Sequence, residues 1–195
     1  MIFSPGKIIF FFVFTLFLSS CKQNSVSDAF QKIIQKTDEQ SLVLKHEVKN
    51  KIGEIQNDSL KSIALEYDKL TKDFYDNLNQ IIHELPLSEN DNFSEIDEVN
   101  SLLFEHGKGK RLVETINTYR ENILTLTESN RLKEKIKSDL NTETVIDKNG
   151  VKADWLEYYF KDFPAIATIA KLKQFQNDAL NLENKFIDDL TSKSK

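Results

Sequence analysis

The chain has 195 residues, with 31 acidic against 26 basic and a formal net charge of −5 at pH 7. That length fits one compact domain, and the acid excess argues against nucleic acid as a partner. Few glycines and prolines among many Leu, Ile, Lys, Glu and Asn favour helices over sheets. A single cysteine, Cys21, excludes an internal disulfide and a thiolate metal site.

Residues 1–20 read as an export signal. Lys7 and the amino terminus supply positive charge, and Ile8 to Leu18 is apolar apart from Thr15. The run is shorter than the roughly 20 apolar residues of a comfortable membrane span. Charge, short apolar run and small-residue exit together describe a secretory signal peptide. The exit, Leu18-Ser19-Ser20-Cys21, resembles the lipobox of bacterial lipoproteins. That resemblance implies cleavage after Ser20 and a diacylglyceryl thioether on Cys21, a modification that labelled palmitate would report. Each buried methylene adds about 0.8 kcal/mol, so two or three acyl chains hold where one does not. Removing residues 1–20 takes away Lys7 and moves the formal charge from −5 to −6.

Residues 21–27 read as a short polar tether. A helical pattern starts beyond it, with Ser27 as N-cap and Asp28 in the first turn. Its stripe is Phe30, Ile33, Ile34, Leu42, Leu44 and Val48, interrupted by a polar gap from Gln35 to Ser41. Gly53 breaks or kinks the run. Leu60, Ile63, Tyr67, Leu70, Phe74, Leu78, Ile81 and Leu85 then recur at spacings of three and four. They form one face of an amphipathic helix, and Pro86 ends it. Residues 86–93 predict a polar loop, and Ser94 to Asp97 caps a short helix to about Phe104.

Gly107 and Gly109 mark the next break. Leu112, Ile116, Tyr119, Ile123 and Leu126 predict another helix, and Leu132, Ile136 and Leu140 a further helical piece. Asn149-Gly150, a turn dipeptide flanked by apolar residues, predicts a hairpin-like loop over 145–151. Asp154 to Phe160 is the densest aromatic cluster. Pro164 sits at the start of the last helix, where proline is tolerated. Ile169, Leu172, Phe175, Ala179, Leu182, Phe186 and Leu190 give that helix a continuous stripe, and Thr191 to Lys195 predict a fraying tail. Such stripes have to bury against one another. The predicted fold is therefore all-α: an antiparallel bundle of three to four long amphipathic helices with short helices between them.

No constellation in the sequence points to catalysis. His46, His83 and His106 lie far apart without a second ligand at i+3 or i+4, whereas zinc needs convergent ligands. Gly107-Lys-Gly-Lys-Arg111 lacks the spacing and the following Ser or Thr of a phosphate loop. A basic run at a helix start opposes the dipole, which predicts either solvation or a contact with an acidic neighbour. Gly-x-Ser-x-Gly does not occur, and no thiol is left to react. Asp188-Asp189 are adjacent on a helix, face no common cleft and read as solvated. Neither metal, cofactor nor enzyme activity is expected. The aromatics around Trp155 have two readings. One is a plug at a bundle junction. The other is a platform for a small ligand or an envelope polymer, which needs an open apolar pocket lined by Trp155, Tyr158 and Tyr159.

The stretch Trp155 to Asp178 is similar to the N-terminal periplasmic domain of the GldM family, gliding-motility and type IX secretion proteins of the Bacteroidetes. The family's hallmark there is an aromatic run, then Phe-Pro-Ala, then Leu followed by Gln-Asn-Asp and a glutamate. This chain carries Phe160, Phe163-Pro164-Ala165, Leu172, Gln176-Asn177-Asp178 and Glu183. Gly109 to Tyr119 resembles the family's helix after the mid-domain loop, and Asp73-Phe74-Tyr75 fits a third stretch. The resemblance implies a GldM N-terminal-like helical domain over residues 28–192, with the motif residues in structural roles. It also implies a homodimer and partners among secretion or motility proteins.

In the family this domain follows a transmembrane helix that partners GldL in a proton-driven motor and carries an acidic residue near its outer end. Here that position falls at about Ser25, and Met1 to Ser27 contains no acidic residue. With the chain ending at Lys195, the family's further periplasmic domains are not expected. The expectation is a lipid-anchored, non-catalytic interaction protein accessory to gliding motility or type IX secretion. Without an acidic cluster after Cys21 of the kind that resembles a surface-export signal, it is expected to face the periplasm.

Overall fold

The computed structural model describes residues 23–86, 95–146 and 150–193. The export signal with Leu18, Ser19 and Ser20, the lipid-attachment residue Cys21, Asn149 and most of the 86–93 loop lie outside the described residues. Helix α1 spans Gln23–Glu54 and α2 spans Asp58–Glu84. A short helix α3, Glu95–Asn100, continues as a π-helical turn over Ser101–Glu105. Helices α4, Lys108–Leu126, and α5, Asn130–Asp139, follow. Strands β1, Thr144–Ile146, and β2, Lys152–Asp154, pair antiparallel. Helix α6, Trp155–Phe160, leads into α7, Ala165–Lys193. The chain is an all-α helical bundle, with one small two-stranded ribbon among the described residues.

Local chemistry sets most boundaries. The Asn57 side chain accepts from the Leu60 amide, Ser129 from Leu132 and Asp154 from Glu157, each satisfying an orphan donor at a helix start. Leu85 turns extended ahead of Pro86, as a residue before proline must. Gly107 starts α4 with φ of 75°, a left-handed value that costs glycine nothing. The Pro164 carbonyl accepts from Ala167 and Thr168 and so opens α7.

Three expectations need correction. Helix α1 starts at Gln23, so most of the expected tether is helical, and Ser27 is a buried residue inside the helix rather than its cap. No glycine or proline stands there to stop the helix. The tail at Thr191 is likewise helical to Lys193: Thr191 and Ser192 donate their hydroxyls back to the Asp188 and Asp189 carbonyls. In the α1 stripe Phe30 and Val48 are buried, but Leu42 is 68% exposed.

Helix α7 is the hub, packed against α1, α2, α3 and α5. Its seven stripe residues are all buried. Cross-helix partners give the directions. Lys173 pairs with Asp38, Asn177 meets Ser41 and Asp188 pairs with Lys51, so the positions climb together and α1 runs parallel to α7. Against α2 they run in opposition: Gln176 reaches Asn79 while Phe186 stacks on Tyr67. Helices α2 and α4 are also antiparallel, with Arg111 on Gln80 and Tyr119 on Thr71. Helices α1, α4 and α7 thus share one direction, and α2 runs opposite to them.

Candidate functional site

The residues that carried the family resemblance lie in α6 and α7 and divide between a dry junction and a polar seam. The β-ribbon aims the junction. Asp154 pairs with Thr144 across the ribbon and caps α6, which fixes where Trp155 enters. Trp155 is buried, with Tyr159, Phe160 and Phe175 around it at ring separations of 5.6, 5.5 and 5.5 Å. Tyr158 stands edge-on to Tyr159 at 5.0 Å. The Lys171 ammonium lies 4.3 Å over the Tyr159 ring. Beside the junction is a cleft of about 100 Å³, where Asp178 is also found. Small-molecule sites run from roughly 300 Å³ upward. Among the described residues the three aromatics therefore pack into a junction with only this small cleft beside them.

Phe163, Pro164 and Ala165 shape the turn into α7. Ala165, Ala167 and Ala170 are buried, and their small side chains bring α7 close to its neighbours. Phe30 from α1 packs on Ala167 and Ala170, with Phe163 against the same cluster. The preceding Asp162 adopts φ of 62°, unusual without a glycine. Asn100 holds it from both sides: its amide donates to the Asp162 carboxylate at 3.0 Å and its carbonyl accepts from the Asp162 amide at 3.1 Å.

The polar seam runs down α7. The buried Gln176 amide donates to the Tyr75 carbonyl at 2.9 Å and to the Asn79 side chain at 2.8 Å, while its own carbonyl oxygen has no partner. Asn177 accepts from Ser41 at 3.3 Å. Further along, Glu183 is buried, facing Asp68, Thr71 and Tyr119. Burial, then the neighbouring Asp68 charge, pushes its carboxyl up to about 8. Burial likewise raises the Tyr67 and Tyr119 hydroxyls. Thr71 bonds the Tyr67 carbonyl at 3.2 Å and the Tyr119 hydroxyl at 3.0 Å.

A third feature is open. An apolar trough of about 830 Å³ lies between the first half of α1, the end of α2 and the start of α7. Ile34 and Leu42, Ile82 and Leu85, and Ile166 and Ile169 line it in pairs from the three helices.

From residue 19 to residue 193 the chain matches the family described as GldM N-terminal domain. It belongs to that family. No curated protein matches it.

In this GldM-family domain the sequence motif is a packing motif. Phe160 and Leu172 are core, Pro164 and Ala165 set the α7 start, and Gln176, Asn177 and Glu183 form the seam. Sequence reasoning missed the side chains that answer them, Ser41, Thr71 and Asn79; Tyr75, in the third resembling stretch, answers through its backbone carbonyl. Two clues existed. The polar gap in α1 contains Ser41, and Thr71 falls four residues after Tyr67 on a buried face. The basic run meets acidic and polar neighbours, with Lys108 paired to Glu84 and Arg111 bonded to Gln80. Asp188 is exposed, as expected, and also pairs with Lys51 at 2.6 Å. The histidines stay apart: His46 sits beside Asn50, His83 in the trough and His106 on the π-helical turn.

Proposed function

We propose that this GldM-family chain is a lipid-anchored, non-catalytic interaction protein, accessory to gliding motility or type IX secretion. The family match across residues 19–193 carries the reading. The shut aromatic junction adds support, because it leaves a binding role to protein surfaces rather than to a ligand pocket around Trp155. No helix among the described residues is long and apolar enough to cross a membrane. Attachment is assigned to Cys21, with Leu18, Ser19 and Ser20 before the cut, and the domain faces the periplasm. A homodimer belongs to the same reading.

Capture of the protein from native membranes tests the partner claim. Recovery of secretion or motility components, together with a secretion or gliding defect on deletion, is expected. Neither outcome appearing would overturn it. Labelled palmitate tests the anchor: the protein should take up label and Cys21→Ala should not. Persisting label on that variant would remove Cys21 from the account. Sedimentation of the purified protein tests the dimer, and a single monomeric species would exclude it.

A further inference from the structure

The apolar trough between α1, α2 and α7 holds about 830 Å³. Leu85 and Ile169 are buried and make its floor. Ile34, Ile82 and Ile166 are half-buried on its walls, and Leu42 stands mostly in water. Helix α1 lines it from Gln31 to Leu42, about 16 Å or three helical turns. Its charge is one-sided. Asp38 and Glu39 line it, and among the described residues no lysine or arginine does. Asp38 is paired with Lys173 at 3.0 Å, but Glu39 is exposed and takes only the Gln35 amide, at 3.0 Å. Lys32 and Lys36 are on α1 but outside the trough.

These features select an occupant. A small molecule is normally enclosed over most of its surface, and one seated on the floor would leave Leu42 wet. An extended peptide would bring unpaired backbone amides over aliphatic walls, whose own helix backbones are already bonded. A helix arrives with its backbone satisfied and presents apolar anchors at spacings of three and four. Glu39 sets the sign of the partner's charge. A second copy seated trough to trough would bring two acidic rims together, and anionic lipid headgroups would also meet Glu39 unfavourably. We propose that the trough docks an amphipathic helix of another protein. That helix lays aliphatic side chains on Ile34, Ile82 and Ile166, covers Leu42 and brings a lysine or arginine to Glu39. The proposal rests on the reading of the chain as an interaction protein and gives that reading a surface.

The test uses the intact protein in discs of neutral lipid and two fluorescent helical peptides about four turns long. Both carry leucines along one face, flanked in one by lysines and in the other by glutamates. The lysine peptide should bind and the glutamate peptide should bind more weakly. Leu42→Ser should weaken the lysine peptide by about tenfold or more. Glu39→Gln should weaken it by about two- to fivefold and narrow the gap between the peptides. Both substitutions are at exposed positions, so melting temperatures should hold. Binding of neither peptide, equal binding of both, or unchanged binding by Leu42→Ser would overturn the proposal. So would a fall in the Leu42→Ser melting temperature, which would mean that the chain covers Leu42 itself. A dimer that Leu42→Ser dissolves would assign the trough to a second copy, and binding to phosphatidylglycerol vesicles that Leu42→Ser abolishes would assign it to lipid; either overturns the proposal. Capture of secretion or motility components that persists in Leu42→Ser would overturn it too, and would leave the interaction reading standing.

Discussion

The first half of α7 is apolar on two sides, and the two sides end differently. On one, Phe175 packs into Trp155, Phe160 and Tyr159, and little space is left. On the other, Ile166 and Ile169 face the trough, where Leu42 is 68% exposed. Both sides carry large side chains from the same helix. The difference lies in what the rest of the chain supplies. The β-ribbon and α6 deliver aromatics onto one side, while α1 and α2 stay apart over the other. Apolar periodicity says that a face is fit for burial; only the topology says whether anything covers it.

The sharpest way to break the comparison is at the sealed side. Trp155→Ala should cost about 3–5 kcal/mol, because the surrounding rings can collapse only partly into the space. Denaturant unfolding measures it. A loss below about 1 kcal/mol, the size of an ordinary point mutation, would mean that the junction is not packed in solution as described. Gly109→Ala comes next. An added Cβ would run into the Leu156 side chain and the Leu103 carbonyl. Overpacking of this kind costs roughly 1–3 kcal/mol, and a neutral result would show that the π-helical turn yields easily.

The polar seam should respond at similar or smaller size. Gln176→Ala removes two hydrogen bonds to α2 and leaves the Asn79 side chain without that donor. Stranding a buried acceptor costs about 1–3 kcal/mol, to be read from the same unfolding curves. No measurable loss would indicate that water replaces the amide there.

How much of this was legible depends on which residues carried the information. The stripes of α2, α4 and α7 are buried nearly as their spacing indicated, since local periodicity and core position agree along them. The GldM-family motif located the junction and the seam, including Glu183. What it left out were the partners from other helices. Nothing local marks Asn79 or Ser41 as the answer to Gln176 or Asn177, because those pairs lie far apart in sequence and depend on helix direction. The same holds for Lys51 and Asp188, a pair that exists because α1 and α7 run parallel. Leu42 failed for the opposite reason: it fits the α1 stripe, but none of the described residues covers it.

Leu42 therefore supplies the finest test of the open side. A leucine already in water gains little from folding, so Leu42→Ser should change stability by no more than about 0.5 kcal/mol. Phe30→Ala, on the same helix but buried against Ala167 and Ala170, should cost about 3 kcal/mol or more. The pair compares a covered and an uncovered position of one stripe under one measurement. If Leu42→Ser instead costs more than about 1 kcal/mol, as partial burial of a leucine would require, then the trough is occupied in solution. The two sides of α7 would then differ in what covers them rather than in whether they are covered.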